Sequence, residues 1–336
     1  MGKRFVILGL ITVLVLVPVL GCRKEGKEVV CYTAVDQEYA EQVFSAFEAE
    51  TGIHVLPVYD TEAAKTTGLV NRLLAEKSAP ACDVFWSNET TQMALLARQG
   101  ILDKLPQRAA DGILARYRDP EGQWAGHAAR FRVLLFNRGA LSGPMPSSVM
   151  DLASDAYPRG SVGMAMPLFG TTAAHAAALY AVLGADKARS FYEQVHKAGV
   201  RIVDGNATVR DLVGQGVLQW GITDSDDALV AIRRGDPVSV VVPDQEGMGT
   251  LVIPSSVALV RGAPHGEAAA RLVQFLLSEK VETMLMDAGY CQLSTRQEGG
   301  IAPLTGTPIK GMDVSADALQ QAMQTSQADL ATIFGG

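Results

Sequence analysis

Between residues 28 and 102 the chain alternates short apolar runs with stretches whose apolar residues return every three or four positions, and this alternation limits the possible folds. Glu28-Val-Val-Cys-Tyr-Thr-Ala34 reads as a strand. Asp36 follows at the start of a helix that carries Tyr39, Val43, Phe44 and Phe47 on one face and stops at Gly52. Ile53-His-Val-Leu-Pro-Val58 is a second strand, and residues 66–77 form a helix with Leu69, Val70, Leu73 and Leu74 together. Cys82-Asp-Val-Phe-Trp86 is a third strand, followed by a helix over 90–99. Strands separated by helices cannot pair as hairpins. They build a mostly parallel sheet with helices on both faces, so the fold class is α/β.

The same alternation resumes further on. Residues 130–136 read as a long strand leaving the first unit, and a Pro/Ser/Gly-rich stretch over 142–148 introduces a second. There, strands over 161–166 and 218–223 are interleaved with helices over 172–183, 188–197, 207–215 and 226–234. Residues 251–260 read as a strand running back, and 265–287 as one long amphipathic helix or a broken pair. Two crossings imply two lobes, with a cleft at the carboxyl ends of their strands. The expected first lobe is 28–128 with about 255–290, and the second is 129–254 with about 291–336.

Lys3 and Arg4 precede an apolar run from Phe5 to Leu20, which ends in Val19-Leu-Gly-Cys22. The pattern reads as a secretory signal over 1–21, too short to span a bilayer comfortably. Leu20-Gly-Cys22 resembles the bacterial lipobox, which implies lipidation of Cys22 and a short tether over 22–27. The expected protein is exported and anchored to the cell membrane, facing the periplasm or the exterior. Removing the leader changes the net charge from −7 to −9 and leaves 315 residues. An acidic body with no basic block argues against nucleic acid as a partner. Cys31, Cys82 and Cys291 show no metal-binding spacing; their odd number permits one disulfide plus a free thiol, or none, and buried inert thiols are the favoured reading.

Four blocks, taken in order, carry a family resemblance. They are Val30-Cys-Tyr-Thr-Ala-Val-Asp-Gln-Glu-Tyr-Ala40 with Phe44-Ser-Ala-Phe-Glu-Ala-Glu-Thr-Gly-Ile53; Ala81-Cys-Asp-Val-Phe-Trp-Ser-Asn-Glu89 with Gln99-Gly-Ile-Leu102; Arg130-Phe-Arg-Val133; and Ser255-Ser-Val-Ala-Leu-Val260. Together they resemble the ferric-iron-binding family of extracytoplasmic receptors that serve ABC importers. The resemblance implies a two-lobed type II periplasmic binding fold that acts as a single chain. It also implies a permease and an ATPase as partners, and a metal ion carried as cargo in place of a cofactor. In that family, two adjacent tyrosines hold ferric iron. The matching positions here are Ser225 and Asp226, in Ile222-Thr-Asp-Ser-Asp-Asp-Ala228. A histidine used by some members corresponds to Asp36, and a glutamate ligand to Asn88, with Glu89 next to it.

The chemistry of the cleft rests on a few segments. Asp224-Ser-Asp-Asp227 places three acids in four residues between a strand and a helix. Such acids repel one another unless a cation or hydrogen-bond donors neutralise them. One of them, or Ser225, equally serves as a helix N-cap. With Asp36 and Glu89 opposite, Asp224 and Asp226 form a hard oxygen set suited to Fe³⁺, to a divalent ion or to a ligand's ammonium group. Phe169-Gly-Thr-Thr-Ala-Ala174 offers Gly170, Thr171 and Thr172 at a helix start, a ready anion site. Gly205-Asn-Ala-Thr-Val209 offers Asn206 in the same way, although Thr171 and Asn206 also suit plain capping. Glu62 lies in Asp60-Thr-Glu-Ala-Ala-Lys65, after the second strand. Arg130 and Arg132 suit either an anion or a salt bridge across the crossing. Of five scattered histidines, only His175 falls near these segments.

A Gly214-Gln-Gly-Val-Leu-Gln-Trp-Gly221 run follows a helix and not a strand, which does not suit a dinucleotide. No nucleophile–base motif appears in a supporting context. The expected function is therefore a non-enzymatic receptor for a small charged solute, with ferric iron and an accompanying anion favoured. A zwitterionic or phosphorylated solute is the alternative ligand. An exported enzyme or a structural lipoprotein on the same fold is the alternative class.

Overall fold

The computed structural model describes residues 28–60, 67–297 and 300–335. The leader, Cys22 and Glu62 lie outside the described residues. The first lobe is built from β1 (Glu28–Thr33), α1 (Gln37–Thr51), β2 (His54–Tyr59), α2 (Thr67–Ala75), β3 (Val84–Ser87) and α3 (Thr91–Arg98). β1 lies between β2 and β3, parallel to both. α1 buries Ala40, Val43, Phe44 and Phe47 and ends at Gly52, whose left-handed φ of 68° suits glycine.

β4 (Trp124–Asn137) is longer than its apolar run suggests, and all of its residues are buried. The second lobe continues with β5 (Val162–Ala165), α4 (Gly170–Leu183), α5 (Ala185–Ala198), β6 (Arg201–Val203), α6 (Asn206–Gly214), β7 (Trp220–Asp224), α7 (Ser225–Arg233) and β8 (Val238–Val241). β9 (Val252–Leu259) then returns to the first lobe, where α8 (Gly266–Leu276) and α9 (Glu279–Ala288) pack. The 265–287 stretch is thus a broken pair, with the Ser278 side chain capping α9 through Val281 N at 3.3 Å. A small hairpin of β10 (Ile301–Ala302) and β11 (Thr307–Pro308) precedes α10 (Ala316–Phe334).

The strands form one sheet in the order β2-β1-β3-β9-β4-β7-β5-β6, with β8 pairing β4 beyond that path. Each lobe keeps a parallel core, β1–β2–β3 in one and β5–β6–β7 in the other. The strands that join them, β9 and β4, are antiparallel to their neighbours, because a strand that leaves one lobe must return to it. A third crossing lies beside them, where Leu293 pairs with Ala129. β4 carries a bulge there. Ala128 has φ 52°, and its N–H donates to the buried Glu282 carboxylate at 3.0 Å. Glu282 also accepts from Thr295 N at 2.8 Å, so one side chain of α9 holds two of the crossing segments. Cys31, Cys82 and Cys291 are buried free thiols. No helix among the described residues is long and apolar enough to cross a membrane.

Candidate functional site

Three strand-to-helix junctions of the second lobe, at the starts of α4, α6 and α7, meet at one cavity of about 360 Å³. Parallel strands send their carboxyl ends, and the helix N-termini that follow, to the same side of a sheet. Asp36, Tyr39 and Asn88 of the first lobe line the same cavity, and Arg130 of the crossing strand forms part of its wall.

Asp224 is the hub. It ends β7 in register opposite Arg132 of β4. Arg132 Nη1 lies 2.6 Å from Asp224 Oδ1, while Thr171 Oγ1 and Asn206 Nδ2 donate to Oδ2 at 2.6 and 3.1 Å. Asn206 Nδ2 also donates to Thr171 Oγ1 at 2.8 Å, and Thr172 Oγ1 to Asn206 Oδ1 at 3.2 Å. The N-cap positions of α4 and α6 are Phe169 and Gly205, neither with a side-chain cap bond. Thr171 and Asn206 are therefore not caps; their side chains turn inward and orient Asp224. Asp224 likewise makes no side-chain cap bond to α7.

Asp226 and Asp227 occupy the first turn of α7, where the helix dipole favours negative charge. Oxygen atoms of Asp224, Asp226 and Asp227 all lie within 4.8 Å of one another, an arrangement that can hold a metal ion. Arg130 Nη1 is 3.4 Å from Asp226 Oδ2 and 3.7 Å from Asp224 Oδ2. Asp226 Oδ1 has no hydrogen-bond partner. Asp227 accepts from Arg210 Nη1 at 3.2 Å and from Thr223 Oγ1 at 3.1 Å. Burial raises the pKa of all three acids, but at Asp224 the charges of Arg132 and Arg130 outweigh it and hold the carboxyl below its usual range. Asp226 is pushed up to about 6 by burial, with Asp224 and Asp36 adding repulsion against the pull of Arg130. Asp227 is pushed up to about 8 by burial, then by Asp226 and Asp224. A cation entering here would displace protons as well as water.

Other sequence-selected residues fall elsewhere. Glu89 is buried and accepts from the N–H groups of Thr91 and Gln92 (the latter at 3.3 Å), so it caps α3 and does not line the cavity. Burial raises its pKa against those bonds. The Ser225 hydroxyl donates to Gln292 and accepts from Phe131 N at 3.2 Å, tying α7 to the crossing segments. Arg132 is fully buried behind Asp224 and forms no part of the cavity wall. His175 is buried outside that wall, with a pKa lowered to about 3 by burial and by Arg132. Asp36, Asn88, Gly170, Thr171, Thr172, Asn206, Asp224, Asp226 and Asp227 are the ones brought together. Tyr39 and Arg210 join them without having been expected. Tyr39 read as an apolar helix position, and Arg210 stood in sequence beside Asp211.

Residues 29–291 match the family model described as bacterial extracellular solute-binding protein. The chain belongs to this family. The solute-binding protein is 25% identical over 285 residues to iron uptake protein A1 of Synechocystis sp., covering 81% of this chain and 77% of that one. Its fold is similar to that of the ferric binding protein from Campylobacter jejuni, with a TM-score of 0.80 at 17% identity, covering 91% of this chain and 99% of that one. It is also similar to that of the periplasmic binding protein AfuA from Actinobacillus pleuropneumoniae with exogenous fructose-6-phosphate bound. There the TM-score is 0.78 at 19% identity, with 92% and 98% coverage. The two-lobed α/β fold of this solute-binding protein is thus a fold shared with receptors of more than one solute.

Proposed function

We propose that this solute-binding protein is the receptor of an ABC importer and captures ferric iron, with an accompanying anion, between its lobes. The observation that carries the reading is the convergence of Asp224, Asp226 and Asp227 on the interlobe cavity. Carboxylate oxygens suit a hard trivalent ion, and the first turns of α4 and α6 suit its anion. The iron-related names of its relatives agree. On this reading Ser225 and Asp226 replace the family's paired tyrosines, and coordination rests on carboxylates. The receptor would hold its cargo without turning it over, act as a single chain tethered through Cys22, and deliver to a permease and its ATPase. The lobes would be 28–128 with 255–290, and 129–254 with 291–336.

Asp226→Asn tests the reading, because it removes one charge with almost no change in shape. Calorimetric affinity for a ferric complex should fall some tenfold to a hundredfold, as expected for losing a charge-assisted contact of about 1.5–3 kcal/mol. Unchanged affinity in Asp224→Asn, Asp226→Asn and Asp227→Asn alike would remove the acidic site. A phosphorylated organic solute is the second reading. It is favoured by Arg130 and Arg210 in the cavity wall, by Phe169 exposed at its edge and by the fold shared with AfuA.

A further inference from the structure

The three aspartates of the cavity do not face their cargo as bare charges. Asp224 is paired with Arg132, Asp227 with Arg210, and Asp226 with Arg130. Arg130 and Arg210 both line the cavity, and of the two Arg130 is the more deeply buried and the one held on the crossing strand. It is 5% exposed and lines the cavity, and it stands on the crossing strand between the lobes. Its Nη2 donates to Asn88 O of the first lobe at 2.6 Å, and its guanidinium lies over the Tyr290 ring at 5.2 Å. Tyr290 is itself fixed by a 2.8 Å hydrogen bond to Ser255. Swinging Arg130 aside would break these contacts together. Its Nε is buried without a hydrogen-bond partner, so the protein does not satisfy the whole guanidinium.

A bare trivalent ion seated on the aspartates would meet this fixed positive charge at close range in a partly desolvated site, where repulsion is weakly screened. A metal ion already wrapped by a polycarboxylate brings negative charge of its own and gives Arg130 an acceptor. The cavity, at about 360 Å³, has far more room than a single ion needs. We propose that Arg130 is a resident counter-cation that selects the charge of the cargo: it admits a metal held in an organic polyoxyanion and rejects the naked aquo ion. This rests on the metal-receptor reading above but makes a separate claim about one residue.

Terbium(III) in a non-coordinating buffer serves as the soluble bare ion, read by sensitised luminescence, and ferric citrate as the wrapped one, read by calorimetry. Arg130→Met and Arg130→Gln should each bind terbium at least tenfold more tightly than wild type and lose at least tenfold in ferric citrate affinity. Arg130→Lys, which keeps the charge, should discriminate as wild type does. Thermal melts establish that each variant is folded, and two neutral variants guard against one failing. Folded neutral variants that bind terbium no better than wild type would overturn the counter-cation role, even with ferric citrate still bound. The terbium gain without any ferric citrate binding in wild type would support that role while overturning iron as cargo.

Discussion

At the scale of single residues, burial and pairing decide what each titratable side chain does. His175 was the one histidine whose place in sequence fell near the cleft segments. Its ring is enclosed, and burial lowers its pKa to about 3 from an ordinary 6.5. A histidine held neutral in the folded state contributes stability that is whole above pH 6.5. That stability is lost as the pH falls toward the folded-state value, because only the unfolded chain takes up the proton there. His175→Gln should therefore leave stability unchanged at pH 8 and improve it relative to wild type at pH 4.5, by about 2–3 kcal/mol. Urea unfolding at the two pH values checks this, and a difference of the same size at both would show a packing effect instead. Glu89 teaches a complementary lesson. In sequence it was one position from a family metal ligand, but its partners are α3 backbone groups two and three residues on, an arrangement open to any carboxylate before a helix.

At the scale of elements, the site depends on how closely α6 approaches the sheet. Gly163 of β5 and Gly221 of β7 pair in register. A Cβ on Gly221 would lie 2.5 Å from Val209 of α6 and 2.7 Å from the Gly163 carbonyl oxygen. The bare backbone lets α6 settle and brings Asn206, its first residue, onto Asp224. Gly221→Ala should cost about 1–3 kcal/mol of stability through overpacking. It should also weaken solute binding, although the residue does not line the cavity. Chemical unfolding and calorimetry on the one variant test both; lost stability with unchanged affinity would uncouple α6 from the site.

Most elements were legible in the sequence because their apolar spacing is regular, as with Phe44 and Phe47 on α1 or Leu69, Val70 and Leu73 on α2. β8 and the crossing at Leu293 were not, since short strands owe their conformation to partners distant in sequence. The start of α4 was found, but its use was not. Whether Thr171 caps a helix or orients an aspartate 53 residues away is set by tertiary contact alone.

At the scale of the whole molecule, the sheet runs through both lobes by way of β9 and β4, with Glu282 holding the bulge at Ala128 to the segment at Thr295. Few connections join the lobes, and the cavity lies between them, which suits a receptor that closes by bending at its crossings. Small-angle scattering should show a smaller radius of gyration with ferric citrate than without it, and an identical profile at saturation would exclude closure. Anchoring belongs to the same scale. Cys22→Ser should leave an unprocessed or shed protein, and a variant still held as mature protein in the membrane fraction would refute the lipobox. The central claim, that the carboxylate cavity carries iron together with an anion, is tested most directly by native mass spectrometry with metal analysis on receptor purified without chelators. The account predicts one iron per chain accompanied by the mass of an organic anion, both lost in a triple Asp224→Asn, Asp226→Asn, Asp227→Asn variant. A metal-free chain carrying only an organic mass, or iron retained by the triple variant, would contradict it.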